Sequence, residues 1–140
     1  MREIKFRAWD KEKQFMFTPT QVEITQGENF AKWDKWRPMA WRDELPEEGA
    51  GGIGRALGDE CELMQYTGLK DKNGKDIYEV DIIKSEDGIV STIVYDEASF
   101  KSVWTHNDHL VNCILDNLFI RTLNPVVVGN IYENPELIKN

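Results

Sequence analysis

At 140 residues, 41% of them hydrophobic and 11% aromatic, the chain has enough apolar mass for one ordinary folded domain and too much for a disordered one. A formal charge of −8 opposes non-specific attraction to phosphate backbones, so direct nucleic-acid binding is not expected. Two cysteines make no disulfide framework, and no window approaches the roughly 18 apolar residues of a membrane helix.

Met1 leads straight into REIKFRAWD, a charged stretch without the apolar run of a secretory signal, and a cytoplasmic protein with reduced thiols is expected. Within this stretch Ile4, Phe6 and Ala8 alternate with Lys5, Arg7 and Trp9, the period-two pattern of a half-buried strand. Its excess of Arg2, Lys5, Arg7, Lys11 and Lys13 over Glu3, Asp10 and Glu12 is too slight to reverse the global sign. The polar DKEK reads as a turn, and QFMF with QVEI resumes extended chain, so residues 1–24 are expected to form a β-hairpin with Pro19 at an edge or bend.

Residues 25–62 read as an aromatic and glycine-rich insertion. Phe30, Trp33 and Trp36 recur at helical spacing before Pro38, Trp41 follows in an acidic context, and GAGGIG marks 42–60 as a mobile loop. From residue 63 to 140 the pattern is a β-barrel core. Asn73-Gly74 signals a type I′ hairpin, and DIIK, IVSTIVYD and SFKSVW, joined by short turns, make a meander. At 108–119 Leu110, Val111, Ile114, Leu115, Leu118 and Phe119 fit the spacing of an amphipathic helix capped by Asp108. VVVGNIY reads as a buried strand, and NPELI as a helical turn with Pro135 first and Asn134 as cap.

Each motif in the chain has a plainer reading. DKNGKD fails as a calcium loop, because Lys75 stands where an acidic ligand belongs and Gly74 is out of place. Gly49, Gly51 and Gly54 match GxGxxG, but the acidic DELPEE leading in would repel a pyrophosphate. His106, His109 and Cys113, with Cys61, are every histidine and cysteine in the chain and could line a zinc shell. Their spacing matches no common zinc module, and Cys113 suits an apolar face without a metal, so no metal or cofactor is expected. Phe30, Trp33, Trp36 and Trp41 read either as core or as interface anchors, given the interspersed Arg37 and Arg42.

Three blocks resemble the YopX family of phage and prophage proteins: REIKFRAWD with DKEK, YTGLKDKNGKDIYEVDII, and VVGNIYENPEL. Tyr66, Gly68, Asn73, Gly74, Tyr78, Asp81, Gly129, Asn130, Tyr132, Asn134 and Pro135 are the signature positions in those blocks. The resemblance implies a single mainly β domain over 1–140 with a small SH3-like barrel, a tendency to form homo-oligomers, and no assigned activity. One departure stands out: the family pattern has glycine where this chain has Val80. A valine disfavours the positive φ that glycine permits.

The leading functional expectation is a non-enzymatic phage accessory module that binds itself or a phage or host protein in the infected cell. An acidic nucleic-acid mimic that inhibits a host DNA-binding protein, and a metal-dependent enzyme using His106, His109 and Cys113, are the alternatives.

Overall fold

Strand β1 (Phe6–Asp10) turns through a tight loop into β2 (Phe15–Phe17), with Ala8 opposite Phe17 and Asp10 opposite Phe15. The computed structural model describes residues 3–24, 38–49 and 51–138. It is mainly β, and the chain divides into two compact units. One is built from residues 6–64; the other takes residues 65–140 with the first five.

In the first unit the DKEK turn closes because Asp10 Oδ1 accepts the amides of Glu12 and Lys13, both at 3.0 Å. A second sheet orders β3 (Gln21–Glu23), β4 (Met39–Arg42) and β5 (Ile53–Ala56). The expected open loop over 42–60 is therefore corrected: Arg42 completes β4, and the glycine-rich stretch supplies β5. Gly54 stands opposite Trp41, and a Cβ there would lie 2.9 Å from the indole ring, so a missing side chain lets the strand pass under the ring. Between the strands, Leu45 donates its amide to Glu48 Oε1 at 2.7 Å, which ties the acidic segment down. Ala8, Phe17, Ala40 and Cys61 form the core of this unit. The helix expected from Phe30, Trp33 and Trp36 lies outside the described residues.

Strand β6 (Cys61–Lys70) pairs with β7 (Asp76–Tyr78) through a register shift, with Gly68 at φ 90° inside it. Their hairpin is not type I′. Asn73 does not take a positive φ; only Gly74 does, at 84°. Gly74 N donates to Asp71 O and Asp71 N to Lys75 O, the pattern of a type I turn followed by a glycine bulge. Asp71 selects this form, because its Oδ1 accepts the amides of Asn73 and Lys75 and its Oδ2 reaches Val127 N at 2.9 Å.

The five-stranded sheet of the second unit runs β11-β10-β9-β8-β12 and curls into a half-barrel. Its members are β8 (Asp81–Lys84), β9 (Val90–Asp96), β10 (Ser99–His106), β11 (His109–Ile114) and β12 (Val126–Asn130). The expected meander is β8–β9–β10. The helix expected over 108–119 is corrected: residues 109–114 are β11, and Asp108 is a turn residue. Asn107 and Asp108 both take positive φ, 50° and 65°, and join β10 to β11 by a two-residue hairpin loop. These positions keep a helical spacing in the sequence, and the pairing with a full-length strand alongside decides for extended chain.

Helix α1 starts later, at Asn117–Leu123, capped by Asp116, whose carboxylate accepts Phe119 N at 2.8 Å. Asn124 in the left-handed region ends it. Ile77, Ile83, Ile93, Leu115 and Phe119 form the core. Pro135–Ile138 is a 3-10 turn, as the sequence suggests, although the Asn134 side chain turns back to accept Asn130 N instead of capping it.

Candidate interaction surface

Charge converges most tightly in the first unit, at Asp10. Its Oδ2 accepts Arg42 Nε and Arg55 Nε, each at 3.0 Å, and the carboxylate is fully buried. Arg42 in turn donates from both terminal nitrogens to Glu48 at 2.8 Å, and Arg55 reaches Glu12 at 3.2 Å. Burial would raise the Asp10 carboxyl. The Lys13 amide and the two guanidinium groups outweigh it and hold the group below the ordinary aspartate range. Arg42, with the Leu45 amide, holds Glu48 at about 2. Each charge here is answered by another in the cluster, which is how a buried ionic group behaves as structure. Residue types alone carried no signal for it, since the partners come from three strands and two turns.

The signature positions also have structural tasks. Asp81, buried, accepts Tyr78 N at 2.7 Å and closes the turn between β7 and β8. Val80 sits in that turn at φ 62°, so it takes the left-handed conformation that a glycine would take. Two cross-chain bonds hold it there, Val80 N to Ile93 O at 2.7 Å and Ile131 N to Val80 O at 3.1 Å. Asn130 Oδ1 accepts the amides of Tyr132 and Glu133, and a Cβ on Gly129 would fall on the Asn134 side chain that leads to Pro135. Tyr66 and Tyr78 are cross-strand neighbours with ring centroids 5.6 Å apart. Lys5 Nζ lies 4.8 Å from the Tyr66 centroid and bridges to Asp76 at 2.7 Å, where Lys70 also binds. Hydrogen bonds from Lys5 and Lys70 hold the Asp76 carboxyl below its ordinary range.

The histidines and cysteines do not assemble. Cys61 is buried in the first unit with its thiol against Arg55 O, and burial first, then Asp10, pushes it up to about 11. His106 and His109 are register partners at the tip of the β10–β11 hairpin. Cys113 is exposed on the same face of β11, four residues on from His109, about 13 Å along a strand. Among the described residues no group of three or more His, Cys, Asp or Glu side chains could hold a metal ion. Gly49, Gly51 and Gly54 lead into a strand, not into a phosphate-binding helix N-terminus. Of the aromatic interface candidates, Trp41 lies on β4 and donates from Nε1 to Glu23 at 2.7 Å. Phe30, Trp33 and Trp36 lie outside the described residues.

An apolar surface is nonetheless open, on the hairpin that the sequence reads as a helix. The register puts Val90, Thr92 and Val94 of β9, Lys101, Val103 and Thr105 of β10, and Leu110, Asn112 and Ile114 of β11 on one face. The opposite face carries Ile93, Ser91 and Ser102 into the core, where Ser102 Oγ donates to Ser91 Oγ at 2.6 Å. On the outer face Leu110 is 71% exposed and Ile114 59%. Leu137 and Ile138 border a groove of about 240 Å³ with Val90, Val94, Val103 and Leu110. These exposed aliphatic side chains, interleaved with Thr92, Lys101, Thr105 and Asn112, make the face a candidate interaction surface.

The model of the family described as YopX protein matches residues 5–139. Two solved structures are similar over nearly all of their length and of this one. Protein EF1440 from Enterococcus faecalis is 25% identical with a TM-score of 0.50, and covers 99% of this chain and 100% of its own. Protein yopX from Bacillus subtilis is 19% identical with a TM-score of 0.57 and the same coverage, a likeness of fold. No curated protein matches the chain. Among the described residues no helix is long and apolar enough to cross a membrane.

Proposed function

Because this chain belongs to the YopX protein family, and because its most tightly buried charges answer one another while a strand face stays apolar and open, we propose that it is a non-enzymatic binding or assembly module that works by self-association. The observation that carries this reading is the exposure of Leu110 and Ile114 on one face of β11, with Leu110 bordering the Val90–Val103 groove. In this reading the protein is a phage accessory protein acting in the cytoplasm of an infected or lysogenic bacterial cell. The alternative of a metal-dependent enzyme is the weaker reading, because His106, His109 and Cys113 string out along a hairpin and, among the described residues, join no group of three or more metal-ligating side chains. The nucleic-acid mimic gains no support. Asp10, Asp71 and Asp81 are internal, and exposed carboxylates such as Asp43, Glu86, Asp96 and Asp108 lie on separate loops, turns and strand ends.

Light scattering coupled to size exclusion, across a hundredfold range of protein concentration, tests the proposal. A mass above 16.3 kDa that falls on dilution is expected. A monomer at every concentration would overturn it.

A further inference from the structure

The free edge of the half-barrel sheet is β11, and its backbone polarity can be read from one hydrogen bond. Leu115 N donates to Phe100 O at 2.9 Å. The two-residue loop closes on His106 opposite His109. In an antiparallel ladder bonded and non-bonded pairs alternate, so β11 bonds to β10 through His109, Val111 and Cys113. The amides and carbonyls of Leu110, Asn112 and Ile114 therefore point off the sheet. Among the described residues no strand pairs with them.

Sheet edges are ordinarily blunted by lysine, proline, a bulge or a covering segment. The six residues HLVNCI carry no Lys, Arg, Asp, Glu or Pro, and their register with β10 is unbroken. The outward backbone groups belong to the same residues whose side chains line the open apolar face.

Resting on the self-association reading above, we infer that β11 pairs antiparallel with β11 of a second copy, about a two-fold axis through Asn112. The edge is its own complement. Outward groups meet outward groups in any register centred on a residue of the strand, and only the one centred on Asn112 engages all three outward residues, Leu110, Asn112 and Ile114, with one another. It sets Leu110 against Ile114 of the second copy, Asn112 against its own counterpart, and Ile114 against Leu110, each a doubly bonded pair. The contact is isologous, apolar residue on apolar residue and amide on amide. A foreign peptide would need this spacing by chance, whereas a second copy has it by construction. The one unfavourable feature is Asp108 opposite Asp116 of the second copy, in a chain of formal charge −8. Moderate salt therefore strengthens the association by screening.

Asn112→Pro removes an outward amide, and proline is tolerated on an edge strand where its missing N–H faces solvent. Leu110→Lys places a charge against its apolar counterpart. Each is expected to weaken self-association by about tenfold or more, with far-UV circular dichroism and the unfolding midpoint unchanged for Leu110→Lys. In a Cys113→Ser background, Asn112→Cys is expected to give a disulfide-linked dimer on mild oxidation. Val111→Cys is not, since diagonal neighbours on facing strands lie about 7–8 Å apart. If the wild-type chain is monomeric throughout, both this pairing and the self-association reading fall. If it associates but Leu110→Lys associates as well and Asn112→Cys does not cross-link, the β11 pairing alone falls. Should Asn112→Pro disturb the fold, the lysine and cysteine variants still decide.

Discussion

Replacing Asp10 by asparagine isolates the buried ionic cluster with almost no change of shape. The carbonyl oxygen can keep the amides of Glu12 and Lys13, but an NH2 group then faces Arg42 Nε and Arg55 Nε, which both bond to Oδ2 at 3.0 Å. Two buried guanidinium donors lose their acceptor at roughly 1–3 kcal/mol each, so a loss of about 3–5 kcal/mol is expected. Urea unfolding read by tryptophan fluorescence measures it, through a lower midpoint at unchanged m-value. The pH dependence gives an independent check. Asp10 and Glu48 have folded pKa values below their unfolded ones, so the unfolded chain takes up protons first as acid is added. The contribution of Glu48 is complete above its unfolded value near 4.5 and is lost as pH falls toward about 2, and that of Asp10 is complete above 3.8 and is lost as pH falls through its lower folded value. Asp10→Asn should therefore lose least at the acid end, with a shallower acid limb than wild type. A destabilisation under about 1 kcal/mol, or an acid limb identical to wild type, would refute the account of the cluster as a closed structural network.

Val80→Gly should leave stability unchanged or raise it by up to about 1 kcal/mol, because left-handed strain of roughly 1–2 kcal/mol exceeds the entropic cost of glycine. A loss beyond that size in the same unfolding assay would show that valine packing, not backbone strain, governs the turn. Asp71→Asn should cost about 1–3 kcal/mol, since only one of its two oxygens can go on accepting backbone amides. Amide exchange at Val127 should rise with it, and protection there equal to wild type would count against the link from hairpin to β12. Iodoacetamide at neutral pH should modify Cys113 and spare Cys61, which is buried with its thiol raised to about 11. Modification of Cys61 at a comparable rate, read by peptide mass spectrometry, would contradict that burial.

What the amino-acid pattern decides by itself is short-range. The strands of the β8–β9–β10 meander follow from β-branched alternation between polar turns, and the mainly β class follows from their number. Proline at its first position places the last helical turn. Tertiary pairing decides the rest. Leu110, Val111 and Ile114 keep a helical spacing in the sequence, and β10 alongside makes them extended. Asn73-Gly74 announces a hairpin, but Asp71, reaching across to Val127, chooses its turn type. Val80 is held at positive φ by bonds to Ile93 and Ile131, against its own preference. Asp10 meets Arg42 and Arg55 from 32 and 45 residues away, a meeting no local pattern encodes. Period and turn chemistry act over a few residues. The partners of a buried charge, the face a strand turns outward and the edge left unpaired exist only once distant segments have come together.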